Sequence, residues 1–203
     1  QFATQGSREK MAAQIFTGTE HFRSGVSKVT KDTPEPYKKV QSWLQVSYQN
    51  ETYHKVSPKF TLGAYLEAYY SSRNFSNNYT ATLMQAGEFT PTAHSKVTYN
   101  EAFRANQYAG VGAIPIYQLS ESFQLRGEFY GFIPIFPIKK DEYGQAYYGK
   151  AFTKFEYLGE ISLVFQLSFG SISAYVNHYS SPSNDWNVGL TLGWQLFNSR
   201  FVE

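Results

Sequence analysis

The feature that most limits how this chain can fold is a one-for-one alternation of apolar with polar or tyrosine residues, repeated along much of its length. Over residues 60–70 one parity reads Phe60, Leu62, Ala64, Leu66, Ala68 and Tyr70. The other reads Thr61, Gly63, Tyr65, Glu67 and Tyr69. An amphipathic helix would space its apolar residues three and four apart. A strand turns successive side chains to opposite faces, so this segment is a strand with one apolar face. The pattern recurs. Val40, Leu44, Val46 and Tyr48 oppose Gln41, Gln45, Ser47 and Gln49. Phe123, Leu125, Phe129, Ile133 and Ile135 oppose Gln124, Arg126, Glu128 and Tyr130. Ile161, Leu163, Phe165, Leu167 and Phe169 oppose Glu160, Ser162, Gln166 and Ser168. Ile172, Ala174 and Val176 oppose Ser171, Ser173 and Asn177. Trp186, Val188, Leu190, Leu192, Trp194 and Leu196 oppose Asn187, Gly189, Thr191, Gly193 and Gln195. Residues 79–90 and 106–119 read as strands with blurred faces, and 97–103 as one more. Residues 7–16 fit a strand or a short helix.

Length narrows the choice further. Strands of soluble proteins run about five or six residues. Several here are about twice that, and a strand tilted across a bilayer needs about nine to eleven. The connections are asymmetric. Ser168, Phe169, Gly170 and Ser171 form a tight turn, and 180–184 is a short link. Residues 31–39 carry Pro34 and Pro36, 71–78 are rich in Ser and Asn, and 137–154 are charged and rich in Tyr and Gly. Short turns at one end and long loops at the other belong to outer-membrane barrels. The expected fold is therefore all-β, an antiparallel meander forming a transmembrane β-barrel. It has about 8–12 strands in this chain, alone or as part of a larger barrel. Residues 1–39 are expected to be an N-terminal segment, one strand or short helix plus loop, and 40–203 the barrel domain.

A mean hydropathy of −0.43 is no objection, because averaging a lipid-facing with a lumen-facing parity hides the apolar one. No run of about 18 apolar residues is present, so a transmembrane helix is excluded. Gln1 is not followed by a charged and then apolar leader, so no signal peptide is expected here. Aromatics make up 18% of the chain and gather near strand ends, as a headgroup-level girdle would have them. Phe152, Phe155 and Tyr157 precede one strand, Tyr175 and Tyr179 end another, and Trp186 and Trp194 bracket the last.

Eighteen Lys and Arg against 16 Asp and Glu, scattered along the chain, give no electrostatic case for nucleic acid. Absence of cysteine excludes disulfides, thiolate chemistry and cysteine-ligated zinc. His21, His54 and His94 have no partner at metal-ligand spacing, so neither a metal nor a cofactor is expected. Glu67, Arg126, Glu128 and Glu160 fall on the polar parity and are candidates to line a lumen, with Arg126 and Glu128 placed to pair. Glycines inside strands, at 110, 112, 127 and 131, point to kinks or close approach.

His178 and Ser180 share a strand face and could form a base–nucleophile pair. They resemble the H-x-S of outer-membrane lipid A deacylases. The family's acid, a Glu further along, has no counterpart at Gly189, Leu190 and Thr191, and Asp185 is the nearest carboxylate. Near the end, Leu192, Gly193, Trp194, Leu196 and Phe197 look like the terminal strand by which barrel assembly machinery recognises its clients, although 198–203 follow it.

Two longer stretches carry a wider resemblance. One is Glu88-Phe89-Thr90-Pro91-Thr92-Ala93-His94-Ser95 with Asn100-Glu101-Ala102-Phe103-Arg104-Ala105-Asn106-Gln107-Tyr108. The other runs from Asn184-Asp185-Trp186-Asn187-Val188-Gly189 through Leu196-Phe197-Asn198-Ser199-Arg200-Phe201. Both resemble the C-terminal barrel of patatin-like phospholipases of Bacteroidetes-type bacteria, which is similar to bacterial surface-antigen and outer-membrane assembly barrels. The resemblance implies the outer membrane of a Gram-negative cell. It also implies a covalently linked hydrolase domain with a Ser in a G-x-S-x-G elbow and an Asp partner. This chain contains no G-x-S-x-G, so no catalytic residue carries over and the chain itself is not expected to be an enzyme. Family barrels have about sixteen strands, more than this length supplies at about ten residues each. The leading expectation is a membrane anchor or translocation and display unit. Its partners would be outer-membrane lipids, the assembly machinery, the linked hydrolase and a second copy in a homo-oligomer. The alternatives are a deacylase using His178 and Ser180, and a soluble β-sandwich binding module.

Overall fold

The computed structural model describes residues 3–22, 37–76, 78–181 and 186–194. In chain order the strands are β1 (Gly6–Phe22), β2 (Tyr37–Ser57), β3 (Phe60–Ser71), β4 (Gly87–Glu88), β5 (Arg104–Ala105), β6 (Gln107–Gln118), β7 (Phe123–Pro134), β8 (Ile138–Lys140), β9 (Ala146–Tyr148), β10 (Glu156–Leu167), β11 (Gly170–Tyr179) and β12 (Trp186–Trp194). The only α-helix among the described residues is α1 (Tyr79–Gln85). Eight strands make one antiparallel sheet in the order β1-β2-β3-β6-β7-β10-β11-β12, a meander in which every large-sheet neighbour follows in sequence. Among the described residues β1 and β12 are its open edges, so the sheet is not closed.

The long strands arise where the alternation is cleanest. For residues 7–16 the strand reading prevails, as part of β1 paired throughout with β2. Residues 79–90 correct the sequence reading. Asn78 caps α1 by accepting from the Ala81 N–H at 2.8 Å, and Thr82 and Leu83 are buried. A local side-chain cap fixes a helix start that blurred alternation concealed. Residues 97–103 are not a strand either. They run through two 3₁₀ turns, Ser95–Val97 and Glu101–Phe103, the second capped by the Asn100 side chain on Ala102 N–H. The loop expected at 31–39 falls mostly outside the described residues.

Connections sort by end. Pro58 and Lys59, residues 119–122, and Ser168 with Phe169 are tight links at one end. The 72–106 and 135–155 connections lie at the other, and so does the short link from β11 to β12, so that end is not made of long loops alone. β1 enters and β12 leaves at the tight-turn end. Residues 135–155 fold partly into the β8–β9 hairpin, which packs Ile138 against Leu83 and Ala86.

The sheet is strongly concave. Neighbouring strands lie about 4.8 Å apart, so β2 and β7, three places apart, would stand about 14 Å from each other in a flat sheet. Yet Arg126 of β7 donates to the Tyr53 hydroxyl of β2 at 2.7 Å, and also to the carbonyl of Ala3, ahead of β1, at 3.1 Å. Inside this trough sits the 72–106 connection. β4 pairs with β5 and closes a lobe of residues 89–103, whose two end rings, Phe89 and Phe103, are 1% and 2% exposed. Phe89 lies 5.5 Å from Phe132 and 5.9 Å from Tyr108, and meets Tyr65 and Tyr130 edge-on. Gly110, inside β6, makes this seat possible, because a Cβ there would overlap the Phe89 ring.

Candidate functional site

The concave side of the sheet buries an aromatic and aliphatic core that includes Tyr65, Phe89, Tyr108, Ile114, Phe132 and Leu158, with polar groups set among it. Charged and polar side chains are buried on the concave side: Arg126 at 4%, Glu128 at 6%, Glu160 at 4% and Gln124 at 0%. On the convex side Leu62, Leu66, Val111, Leu125, Phe129, Ile161, Leu163, Val188 and Leu190 are exposed. Neighbouring strands place Leu125, Leu163, Ala174 and Leu190 side by side in one row.

The concave face is organised by tyrosine–glutamate pairs. Tyr53 donates to Glu51, Tyr65 to Glu67, Tyr108 to Glu67 at 2.7 Å, and Tyr130 to Glu128 at 2.9 Å. Arg126 Nε donates to Glu128 Oε1 at 2.5 Å, and Arg8 donates to Glu51 at 2.9 Å. Each carboxylate thus keeps charge-assisted partners while withdrawn from bulk solvent, the condition under which buried charges persist. Three of the sequence candidates, Glu67, Arg126 and Glu128, fall within this network. The tyrosines that share their parity supply the hydroxyl donors, a role that alternation alone does not reveal.

Glu160 meets a residue the sequence reading set aside. His94, from the lobe in the trough, bonds through Nδ1 to Glu160 at 2.8 Å and through Nε2 to the Thr191 hydroxyl of β12 at 2.6 Å. Its ring stacks on Tyr175 of β11 with centroids 3.4 Å apart. Asn177 donates to the same glutamate at 3.4 Å. The order hydroxyl, imidazole, carboxylate is that of nucleophilic hydrolases. Here it faces the concave side, away from the apolar surface, and it ties the lobe to strands β10 and β12.

A polar cavity of about 300 Å³ lies beside this tie. Pro91, Thr92 and Ala93 of the lobe form one wall, and Arg8, Glu51, Tyr53, Arg126 and Glu128 others. Nearer the long-loop end Arg73 stacks over Trp43 at 4.2 Å, and burial there lowers its pKa, with Glu20 acting in the opposite sense. Burial likewise raises the Tyr79 pKa, helped by Glu101. Among the described residues no three of His, Asp and Glu come close enough to hold a metal ion.

His178 and Ser180 do not contact each other. The His178 ring packs between Tyr157 at 5.8 Å and Trp186 at 4.8 Å, on the apolar side. Ser180 donates to Glu156 and accepts from the Tyr157 N–H at 3.0 Å, joining β11 to β10. Ser180→Ala removes both bonds, one of them to a carboxylate, and is expected to lower stability by about 2–4 kcal/mol, measured by chemical denaturation. Any ester hydrolysis by the chain that disappears with this variant would reinstate the pair as catalytic. Of the terminal-strand residues, Leu192, Gly193 and Trp194 lie in β12, with Leu192 and Trp194 exposed on the convex side. Leu196 and Phe197 lie outside the described residues.

No family model matches the chain, and no curated protein matches it either.

Proposed function

We propose that this chain is a β-barrel domain, or an arc of one, in the outer membrane of a Gram-negative bacterium. It would anchor, display or translocate a linked patatin-like hydrolase domain. The observation that carries the membrane part is the apolar convex face of the sheet, which nothing among the described residues covers. Large aliphatic side chains cover the convex face, while Gln124, Arg126, Glu128, Glu156, Glu160 and Asn177 are buried behind it beside the aromatic core. Soluble monomers rarely leave so extensive an apolar surface in water. Lipid is the solvent in which this face is at low free energy and the polar lumen is not.

Aromatic placement supports the same reading. Trp186 and Trp194 cap the two ends of β12, and only Val188, Leu190 and Leu192 share their parity between them. Eight residue steps at about 3.4 Å, tilted by about 40°, span roughly 20 Å along the membrane normal, close to the apolar band of known barrels. Entry and exit of the sheet at its tight-turn end, opposite the long loops, agrees as well. The hydrolase part rests on the resemblance of residues 88–108 and 184–201 alone. The sandwich reading lacks a second layer, since the described residues place only the lobe against one face and nothing against the other.

The purified chain is expected to fold only with detergent or lipid, and then to give an electrophoretic band that changes mobility on boiling. A folded, monodisperse chain in plain buffer would overturn the membrane reading. A reading frame that joins this sequence to a G-x-S-x-G domain tests the hydrolase part separately.

A further inference from the structure

We propose that Gln41, Trp43 and Arg73 form a binding site for a neutral sugar, at the end of the sheet that carries the 72–106 connection. The inference does not depend on which solvent covers the convex face. Several elements meet there. β1 brings Glu20, β2 brings Gln41 and Trp43, and the chain just past β3 brings Arg73. With Gln85 at the end of α1 they line a cavity of about 270 Å³. That is room for one sugar ring, near the lower limit of small-molecule pockets. Trp43 is held in place by ring contacts. Phe16 stacks on it with centroids 5.4 Å apart, and the Arg73 guanidinium lies over it at 4.2 Å. An indole fixed in this way offers its N–H in a set direction.

The polar atoms of these residues are short of partners. Gln41 is only 8% exposed, yet its Oε1 accepts no bond among the described residues. Trp43 Nε1 and Arg73 Nε are also withdrawn from solvent, and neither donates to any described residue. Buried polar atoms are nearly always bonded, so three such atoms on the residues of one cavity call for a ligand that supplies the missing groups. Their chemistry sets its class. Two N–H donors stand with one amide acceptor, and Glu20, which accepts from Gln41 Nε2 at 3.0 Å, adds a carboxylate. An anion would suit Arg73 but meet the oxygens of Gln41 and Glu20. A cation would suit those oxygens but meet Arg73. A hydroxyl group both accepts and donates, so adjacent hydroxyls of a sugar can serve all of them at once.

The test uses the purified chain, folded in lauryldimethylamine oxide micelles, whose headgroup is not a sugar, or in plain buffer if it folds there. Glucose, galactose, N-acetylglucosamine and, separately, sodium phosphate are titrated in by calorimetry. At least one of the sugars is expected to bind saturably, with a Kd of about 1 mM or lower. Trp43→Phe keeps a stacked ring but removes its N–H, and Arg73→Gln removes the guanidinium. Each should weaken that binding about tenfold, the scale of one hydrogen bond lost to the ligand. If Arg73→Gln does not fold, the conservative Trp43→Phe carries the comparison alone. The methyl glycoside of the bound sugar separates two sources: retained affinity points to a unit of a glycan, lost affinity to a free monosaccharide. Binding of phosphate in place of the sugars, binding of none of them, or equal sugar affinity in wild type and Trp43→Phe would overturn the site.

Discussion

Leu163→Arg is expected to destabilise the folded chain in lipid vesicles by about 2–4 kcal/mol, read from its denaturant midpoint. Leu163 lies in the middle of β10, at 38% exposure, between Leu125 and Ala174 on the convex face. In hydrocarbon an arginine there must snorkel along the strand or draw water inward, and either is costly. Water makes the opposite forecast. A partly exposed leucine on an aqueous surface is replaced by arginine within about 0.5 kcal/mol. The two solvents therefore differ by several-fold at one position. Gln14→Arg is the matched control. Gln14 is exposed, in β1, on the parity of Arg8 and Lys10, so it should be nearly neutral. Near-neutral behaviour at Leu163 as well would place the convex face in water, or against a partner that tolerates charge.

Much of this architecture is written in the alternation itself. Period two identifies the strand cores around Leu62, Leu125, Leu163 and Leu190, because the outward residues there are apolar and most inward ones are polar, glycine or tyrosine; Val164, inward and fully buried, departs from that rule. It also predicts the Arg126–Glu128 pair, since residues two apart share a face. What it does not reveal is everything that depends on contacts between distant segments. Residues 79–85 form a helix because Asn78 supplies a cap, a signal present in the sequence but outweighed by the expectation of another strand. The lobe in the trough has no period at all. His94 shows no local partner, since Glu160 and Thr191 lie 66 and 97 positions away. Only the curvature of the sheet brings them together. The glycines are an intermediate case. Close approach at residue 110 was legible, but not that the approaching group would be Phe89.

Phe89→Ala should be the most damaging single change in the lobe, with an expected loss of about 3–5 kcal/mol. The ring is 1% exposed and touches aromatics of β3, β6 and β7, so its removal leaves a cavity that three paired strands cannot collapse to fill. The glycine beneath it makes the assignment testable in a second way. Gly110→Ala places a methyl group where the Phe89 ring lies, and a ring packed on several sides cannot give way. Alone, Gly110→Ala should be clearly destabilising. In the Phe89→Ala background the same methyl enters an emptied space and should cost much less, because the two sites compete for one volume. Denaturant unfolding of the four proteins in vesicles measures this coupling. Additive effects would mean that Phe89 does not sit over Gly110, and the lobe would then lie outside the trough.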